Sequence, residues 1–457
     1  MVTHLVFLAK LSLLLTTTIF HHHFTTANPI GVNYGTVADN LPPPSQVASF
    51  LKQKTTIDKI KLFDANPDIL RAFANSGISV TICVANADIP GVSNLDVAKA
   101  WVANHVLPFY PSTKINRILV GNEVYFWGDK NHIAHLVPAM RSIHTALKLA
   151  GIDTQIQVST PHAMTIIKGT PAPSTGRFRR VYDRTIFKPM LQFHRETKSP
   201  FMICPYPFFA LAPNNINYAL FKPNRGVFDP FTKKNYTNMF DAEIDAVYSA
   251  MKALGYGDVD IVIGETGWPS MGEPNQFGVS WENAVWYNKQ LIKHVTSGIG
   301  TPLMPKKTFE TYIFALFNEN LKPSVSERNF GLFRPDFSPV YDVGLFRKGQ
   351  VVGPTPTKPS PKPKGGGNKQ WCVPKQGATN KALQANIDYI CSLAGFDCKP
   401  IQNNGPCFQP DNVRSHAAYV MNAYYQSNGR HVGSCYFSGT GVVVKSDPSY
   451  GTCKYVA

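Results

Sequence analysis

Apolar and polar positions alternate in blocks along the first three quarters of the chain. Eight apolar runs have the length and β-branched content of buried strands: Ile30–Tyr34, Lys59–Phe63, Ser79–Val84, Arg117–Val120, Gln155–Ser159, Phe201–Tyr206, Asp260–Gly264 and Thr311–Phe317. Between most of them the apolar spacing becomes helical, over Ser45–Lys54, Ile69–Asn75, Val97–Val106, Leu136–Ala150 and Met239–Leu254. Strand–helix alternation repeated eight times predicts an α/β fold, a closed parallel (β/α)8 TIM barrel. Such a barrel builds its site from the C-terminal ends of its strands. There the sequence places Asn33, Tyr34, Asp64, Asn122, Glu123, Thr160, Tyr206, Glu265, Asn318 and Glu319.

Two of these ends stand out. Arg117-Ile-Leu-Val-Gly-Asn-Glu123 and Asp260-Ile-Val-Ile-Gly-Glu265 are apolar runs that each finish on a carboxylate. A buried strand needs no Glu at its tip. Two such tips at one end of a parallel sheet can bring together the carboxylate pair that glycoside hydrolysis requires.

The remaining chain divides the protein. Residues 347–370 alternate Pro with polar residues, end in a Gly run and carry six basic side chains but no acidic one, which predicts an extended linker. Six cysteines lie beyond or beside its end: Cys372, Cys391, Cys398, Cys407, Cys435 and Cys453. In a short extracellular module they predict three disulfides, in any of 15 connectivities. No pair has C-x-x-C spacing, so a metal site is not expected. Cys83 and Cys204 sit inside apolar runs and read as buried free thiols. Residues 1–27 hold an apolar stretch and a small-residue cut site after Ala27, which predicts a secretory signal, and no membrane anchor is expected. Asn235-Tyr-Thr is a glycosylation acceptor consistent with that route. The formal net charge is +16. A secreted chain without an RNA motif makes nucleic acid a poor partner, and leaves an acidic extracellular matrix or plain solubility as explanations.

At the level of motifs, the first domain, residues 28–346, resembles plant family 17 glycoside hydrolases, the endo-1,3-β-glucanases. The matching segments are Ile30-Gly-Val-Asn-Tyr-Gly35, Val120-Gly-Asn-Glu-Val124, Gly264-Glu-Thr-Gly-Trp-Pro-Ser270, Thr311-Tyr-Ile-Phe-Ala-Leu-Phe-Asn-Glu-Asn320 and Glu327-Arg-Asn-Phe-Gly-Leu-Phe333. Residues 371–457 resemble the X8, or family 43 carbohydrate-binding, module through Trp371-Cys-Val, Cys407-Phe-Gln-Pro, His416–Gln426, Cys435-Tyr-Phe-Ser-Gly and Asp447–Cys453. That tail is expected to be small, disulfide-rich and mainly helical.

The resemblance implies a retaining enzyme without cofactor, Glu123 as acid/base and Glu265 as nucleophile, acting on 1,3-β-glucan as a secreted monomer of the cell wall. It implies that Asn122 bonds the sugar 2-OH, that Tyr34, Tyr206 and Phe209 line the cleft, and that Glu319 and Lys322 form a charge pair near the acid/base. Tyr34 and Tyr206 read equally as core, Glu319 and Lys322 as a surface pair, and Trp268 as packing. In the tail, Tyr419, Tyr424 and Tyr425 are glucan-binding candidates that share their spacing with a core stripe. Two positions depart from the family: Cys204 stands where an Asn is usual, and Tyr436 where an acidic residue is usual. Both bear on substrate affinity. A non-catalytic glucan-binding protein and a transglycosylase remain alternatives.

Overall fold

The computed structural model describes residues 30–169, 172–273, 276–349, 369–391, 396–427, 435 and 437–457. The expected signal at 1–27, most of the linker and Tyr436 lie outside the described residues.

All eight apolar runs contain a strand. They are β1 (Ile30–Asn33), β2 (Lys59–Lys61), β3 (Ser79–Val84), β4 (Lys114–Val120), β5 (Gln157–Ser159), β7 (Phe201–Cys204), β8 (Ile261–Thr266) and β9 (Thr311–Ile313). A ninth, β6 (Pro161–Ala163), was not foreseen. The strands pair in parallel, in the order β5-β4-β3-β2-β1-β9-β8-β7-β6. β5 and β6 are two halves of one extended segment, separated only by Thr160, and each half pairs a different neighbour. Both outer edges of the sheet therefore belong to one stretch of chain, and the sheet closes. The switch falls at Pro161, which has no N–H to give a ladder.

Helices cover the outside, among them Pro44–Lys54, Leu95–His105, Lys130–Leu149, Met239–Ala253 and Trp281–Thr296. Asn94, Asn238 and Ser280 start three of these by accepting first-turn backbone N–H groups. The outward strand residues and inward helix faces form one apolar core. Inside the barrel, Cys83, Leu119, Met202, Val262 and Tyr312 form a separate layer. Glycine makes room there: a Cβ on Gly31 would lie 2.7 Å from the Tyr312 ring.

The tail has its own core. Helices Asn380–Cys391 and Val413–Ser427 pack with a two-stranded antiparallel sheet of Trp371–Pro374 and Gly441–Val444. Disulfides join Cys372 to Cys435, Cys391 to Cys398 and Cys407 to Cys453. Cys83 and Cys204 are free and buried.

Candidate active site

Strand alternation alone would aim Glu265 the wrong way. In β8, Val262 belongs to the barrel interior and Ile261 and Ile263 to the outer core. Period-2 geometry would then send Glu265 outward with Ile263. The pairing of β8 with β9 shifts register between Ile263 and Thr266. This irregularity inverts the alternation: Thr266 bonds the hydroxyl of Tyr287, on the outer helix Trp281–Thr296, at 2.6 Å. Glu265 is thereby released toward the barrel mouth. Re-aiming a side chain beside a site is a known use of such bulges.

Glu123 is placed by a tight turn after β4. Gly121 and Glu123 both adopt left-handed backbone, at φ 72° and 47°. At Gly121 a side chain is also sterically barred, since its Cβ would meet Val124 at 2.5 Å. The turn is locked by Asn86, which accepts from the Asn122 N–H at 2.7 Å and donates to the Asn122 carbonyl at 3.0 Å. The strained conformation of Glu123 is held by its surroundings, as expected where geometry serves chemistry.

The two carboxylates have different company. Glu265 accepts from Lys61 Nζ at 2.8 Å on one oxygen and from the Tyr206 hydroxyl at 3.0 Å on the other. Lys61 also reaches Asn122 Oδ1 at 3.3 Å and sits 3.9 Å from the centre of the Phe63 ring, fully buried. Glu123 receives the Trp127 indole N–H at 3.2 Å and the Cys204 thiol. Burial, and then the negative charge of Glu265, push the Glu123 carboxyl up to about 7. Burial and the two carboxylates hold the Cys204 thiol far above its ordinary range, so it stays neutral. One carboxyl that keeps its proton near neutrality, beside another bound by a cation and a hydroxyl, can serve as acid and nucleophile.

Several expected residues take other places. Tyr34 is 2% exposed and packs against Phe73 and Phe317. A side chain so covered fits the core alternative that the sequence leaves open for Tyr34. Phe209 is open, at 69% exposure, with its ring 5.1 Å from that of Tyr206. Glu319 and Lys322 share no direct salt bridge among the described residues. Glu319 instead accepts the Val37 N–H at 2.8 Å and senses the charges of Lys322 and Glu265, while Lys322 lies over Phe314. Trp268 is packing: it is buried, and its indole bonds the Gly278 carbonyl. Tyr425 is buried in the tail core, so it does not present a binding face; Tyr419 and Tyr424 are partly buried against the same core. Asn235 is exposed.

Sequence reasoning missed Lys61 and Trp127. The signal for Lys61 was a lysine on a strand whose two faces are both covered in a closed barrel. A cation in that position needs a buried anion.

The comparisons follow the same division of the chain. Glycosyl hydrolases family 17 matches residues 30–345, and the X8 domain matches residues 370–442. A "Glucan endo-1,3-beta-glucosidase" of Triticum aestivum is 52% identical, over 94% of this chain and 95% of that one. "Glucan endo-1,3-beta-glucosidase 7" of Arabidopsis thaliana is 47% identical, over 96% and 86%. Among solved structures, CJP38, a beta-1,3-glucanase and allergen of Cryptomeria japonica pollen, superposes with a TM-score of 0.66 at 46% identity, over 69% of this chain and 98% of that one. One of two plant beta-glucan endohydrolases with distinct substrate specificities gives 0.63 at 36%, over 68% and 99%.

Proposed function

This chain belongs to glycosyl hydrolases family 17 and is an endo-hydrolase of 1,3-β-glucan; we propose that it works with retention, Glu265 as nucleophile and Glu123 as acid/base. Glu265 attacks the anomeric carbon while Glu123 protonates the departing glycosidic oxygen. Esterification removes the charge of Glu265. One of the two causes that keep Glu123 protonated then disappears, and its carboxylate becomes the base for the incoming water. Lys61 orients Glu265 and Asn122 together, and Asn122 bonds the sugar 2-OH.

The observation that carries this reading is the unequal pair: Glu123 raised to about 7, Glu265 held by Lys61 and Tyr206. The test is reducing-sugar release from linear 1,3-β-glucan, with proton NMR of the first product anomer. The parent should release β-anomer first, and Glu265→Gln should release none while still binding the polymer. Turnover by Glu265→Gln, or α-anomer first, would overturn the assignment.

The tail holds the enzyme on its polymer. Two sites on one chain raise the effective substrate concentration without new contacts. Residues 1–27 act as the secretory signal, and the tail disulfides suit an oxidising compartment. Asn235 is an open glycosylation acceptor. The linker is read as residues 347–370, the Pro-, Lys- and Gly-rich stretch between the two domains. The basic surplus favours acidic wall polymers.

A further inference from the structure

A large aromatic side chain lies in the open directly beside the partly buried acid Glu123. Trp127 is 70% exposed, and Phe126, edge-on to it at 4.7 Å, is 51% exposed. Apolar surface of that size left in water marks a binding face more often than an accident when it adjoins a cleft. Nor is the side chain on a loose loop. Trp127 N–H bonds the Glu123 carbonyl at 3.0 Å, and Gly128 N–H closes on the Val124 carbonyl at 2.8 Å. Gly128 has no room for a Cβ, which would fall 2.5 Å from that carbonyl. The indole is thus mounted on a fixed helical turn, with its N–H on Glu123 Oε2 at 3.2 Å.

The position of this ring relative to the carboxylates gives it a side. An acid must reach the oxygen that leaves with the departing chain, so the surface next to Glu123 faces the leaving sugar. Phe209, also exposed, is tied through Tyr206 to Glu265. Each carboxylate thus has an exposed aromatic connected to it, Trp127 by its N–H to Glu123 and Phe209 through Tyr206 to Glu265.

On the basis of the acid/base reading above, we propose that Trp127, supported by Phe126, is the platform for the leaving-side glucose unit, and that it sets how often a sugar rather than water resolves the glycosyl-enzyme. A pyranose ring stacks on the indole face while the indole N–H stays on Glu123. In the second step the same platform holds an acceptor sugar. Its hydroxyl oxygen forms the new bond to the anomeric carbon, the ester bond to Glu265 breaks, and the hydroxyl proton passes to Glu123. Transfer and hydrolysis differ only in which hydroxyl occupies that place.

The test uses the full-length enzyme with Trp127→Ala, Trp127→Phe and the parent, on two substrates. One is a long 1,3-β-linked oligosaccharide; the other is an aryl glycoside of a 1,3-β-linked trisaccharide, whose leaving group is not a sugar. For Trp127→Ala, the ratio of kcat/KM on the long oligosaccharide to that on the aryl substrate should fall about tenfold. Products longer than the starting oligosaccharide should fall with it. Trp127→Phe keeps a ring but loses the N–H, so it should recover much of the ratio. That variant should also move the alkaline limb of the pH profile upward, because a donor that favours the carboxylate form of Glu123 is gone. An unchanged ratio in Trp127→Ala, or equal loss on both substrates, would overturn the platform. Failure of the acid/base reading itself looks different: the parent would then lack the alkaline limb on the oligosaccharide.

Discussion

Replacing Glu123 by Gln should stabilise the barrel near pH 8 and leave its stability almost unchanged near pH 4. Burial first, and the charge of Glu265 second, raise this carboxyl from 4.5 to about 7 in the folded protein. Below the unfolded value the proton is bound in both states, and the site costs nothing. Between about 4.5 and about 7 the unfolded chain releases its proton while the folded one keeps it, so stability falls as pH rises. Above about 7 both states are ionised and the whole penalty remains. At about 1.36 kcal/mol per unit, the penalty is on the order of 3 kcal/mol. Gln has the same shape, cannot ionise, and can still accept the Trp127 N–H. A gain of about 2–3 kcal/mol at pH 8, against roughly none at pH 4, is therefore expected. Urea unfolding of the full chain with disulfides intact, followed by tryptophan fluorescence at pH 4, 6 and 8, reads it directly. The same change at all three values, or destabilisation at pH 8, would refute the argument that desolvation and a like charge set the state of Glu123. The variant should also lose about 10²–10⁴-fold in turnover of glucan, and far less on an aryl glycoside that leaves without protonation.

Other consequences are simpler. Lys61→Met leaves the Glu265 carboxylate buried without its cation, so kcat should drop by about 10²-fold or more and the barrel should lose about 3–5 kcal/mol in urea unfolding; retention of both would remove Lys61 from the site. In the parent, kcat/KM should decline as pH rises through about 7, where Glu123 gives up its proton, and a flat profile from pH 6 to 9 would exclude it as the acid. Deleting residues 347–457 should weaken sedimentation with insoluble 1,3-β-glucan while sparing hydrolysis of short soluble oligosaccharides; equal loss of both would mean the tail is not a separate binding module. Reduction with dithiothreitol should melt the tail before the barrel, since the three disulfides all lie in the tail; simultaneous loss in circular dichroism would contradict this.

What the sequence made legible follows from what one dimension can carry. A strand covered on both faces is a short apolar run, and the eight runs each contain one. The carboxylates were legible because Glu123 and Glu265 end such runs, where apolar packing has no use for them. The aim of Glu265 was not legible. Alternation puts it with Ile263, and only the register shift against β9 returns it to the mouth. Lys61 hid for the opposite reason: Lys59-Ile-Lys61-Leu reads as an ordinary half-exposed alternation until closure of the barrel buries the polar face as well. Tyr34 and Tyr425 are both covered, and spacing could not have told this, since a tyrosine at a strand end or on a helix stripe fits a platform or a core equally well.

The barrel holds two cation–carboxylate pairs whose cations, Lys61 and Arg117, are buried, and they do different work. Inside the barrel Arg117 bonds Glu310 at 2.8 Å and Gln157 at 3.0 Å, and Tyr312 bonds Thr81 at 3.2 Å. The Arg117 charge keeps the Glu310 carboxyl below its ordinary value. That carboxylate meets the charges of both Arg117 and Lys59, and the pair lies at the strand starts, the end that serves stability. At the mouth, Lys61 is paired with Glu265, but Glu123 adds a second carboxyl with no salt bridge of its own among the described residues. The excess can be borne in two ways, by a bound proton or by an extra positive charge. A nearby arginine would have made the mouth as settled as the base. With no cation bonded to it among the described residues, Glu123 keeps its proton until pH about 7, and that proton is the one a glycosidic oxygen can take. The instability of the mouth and its reactivity therefore have one cause, and a substitution that cures the first should abolish the second.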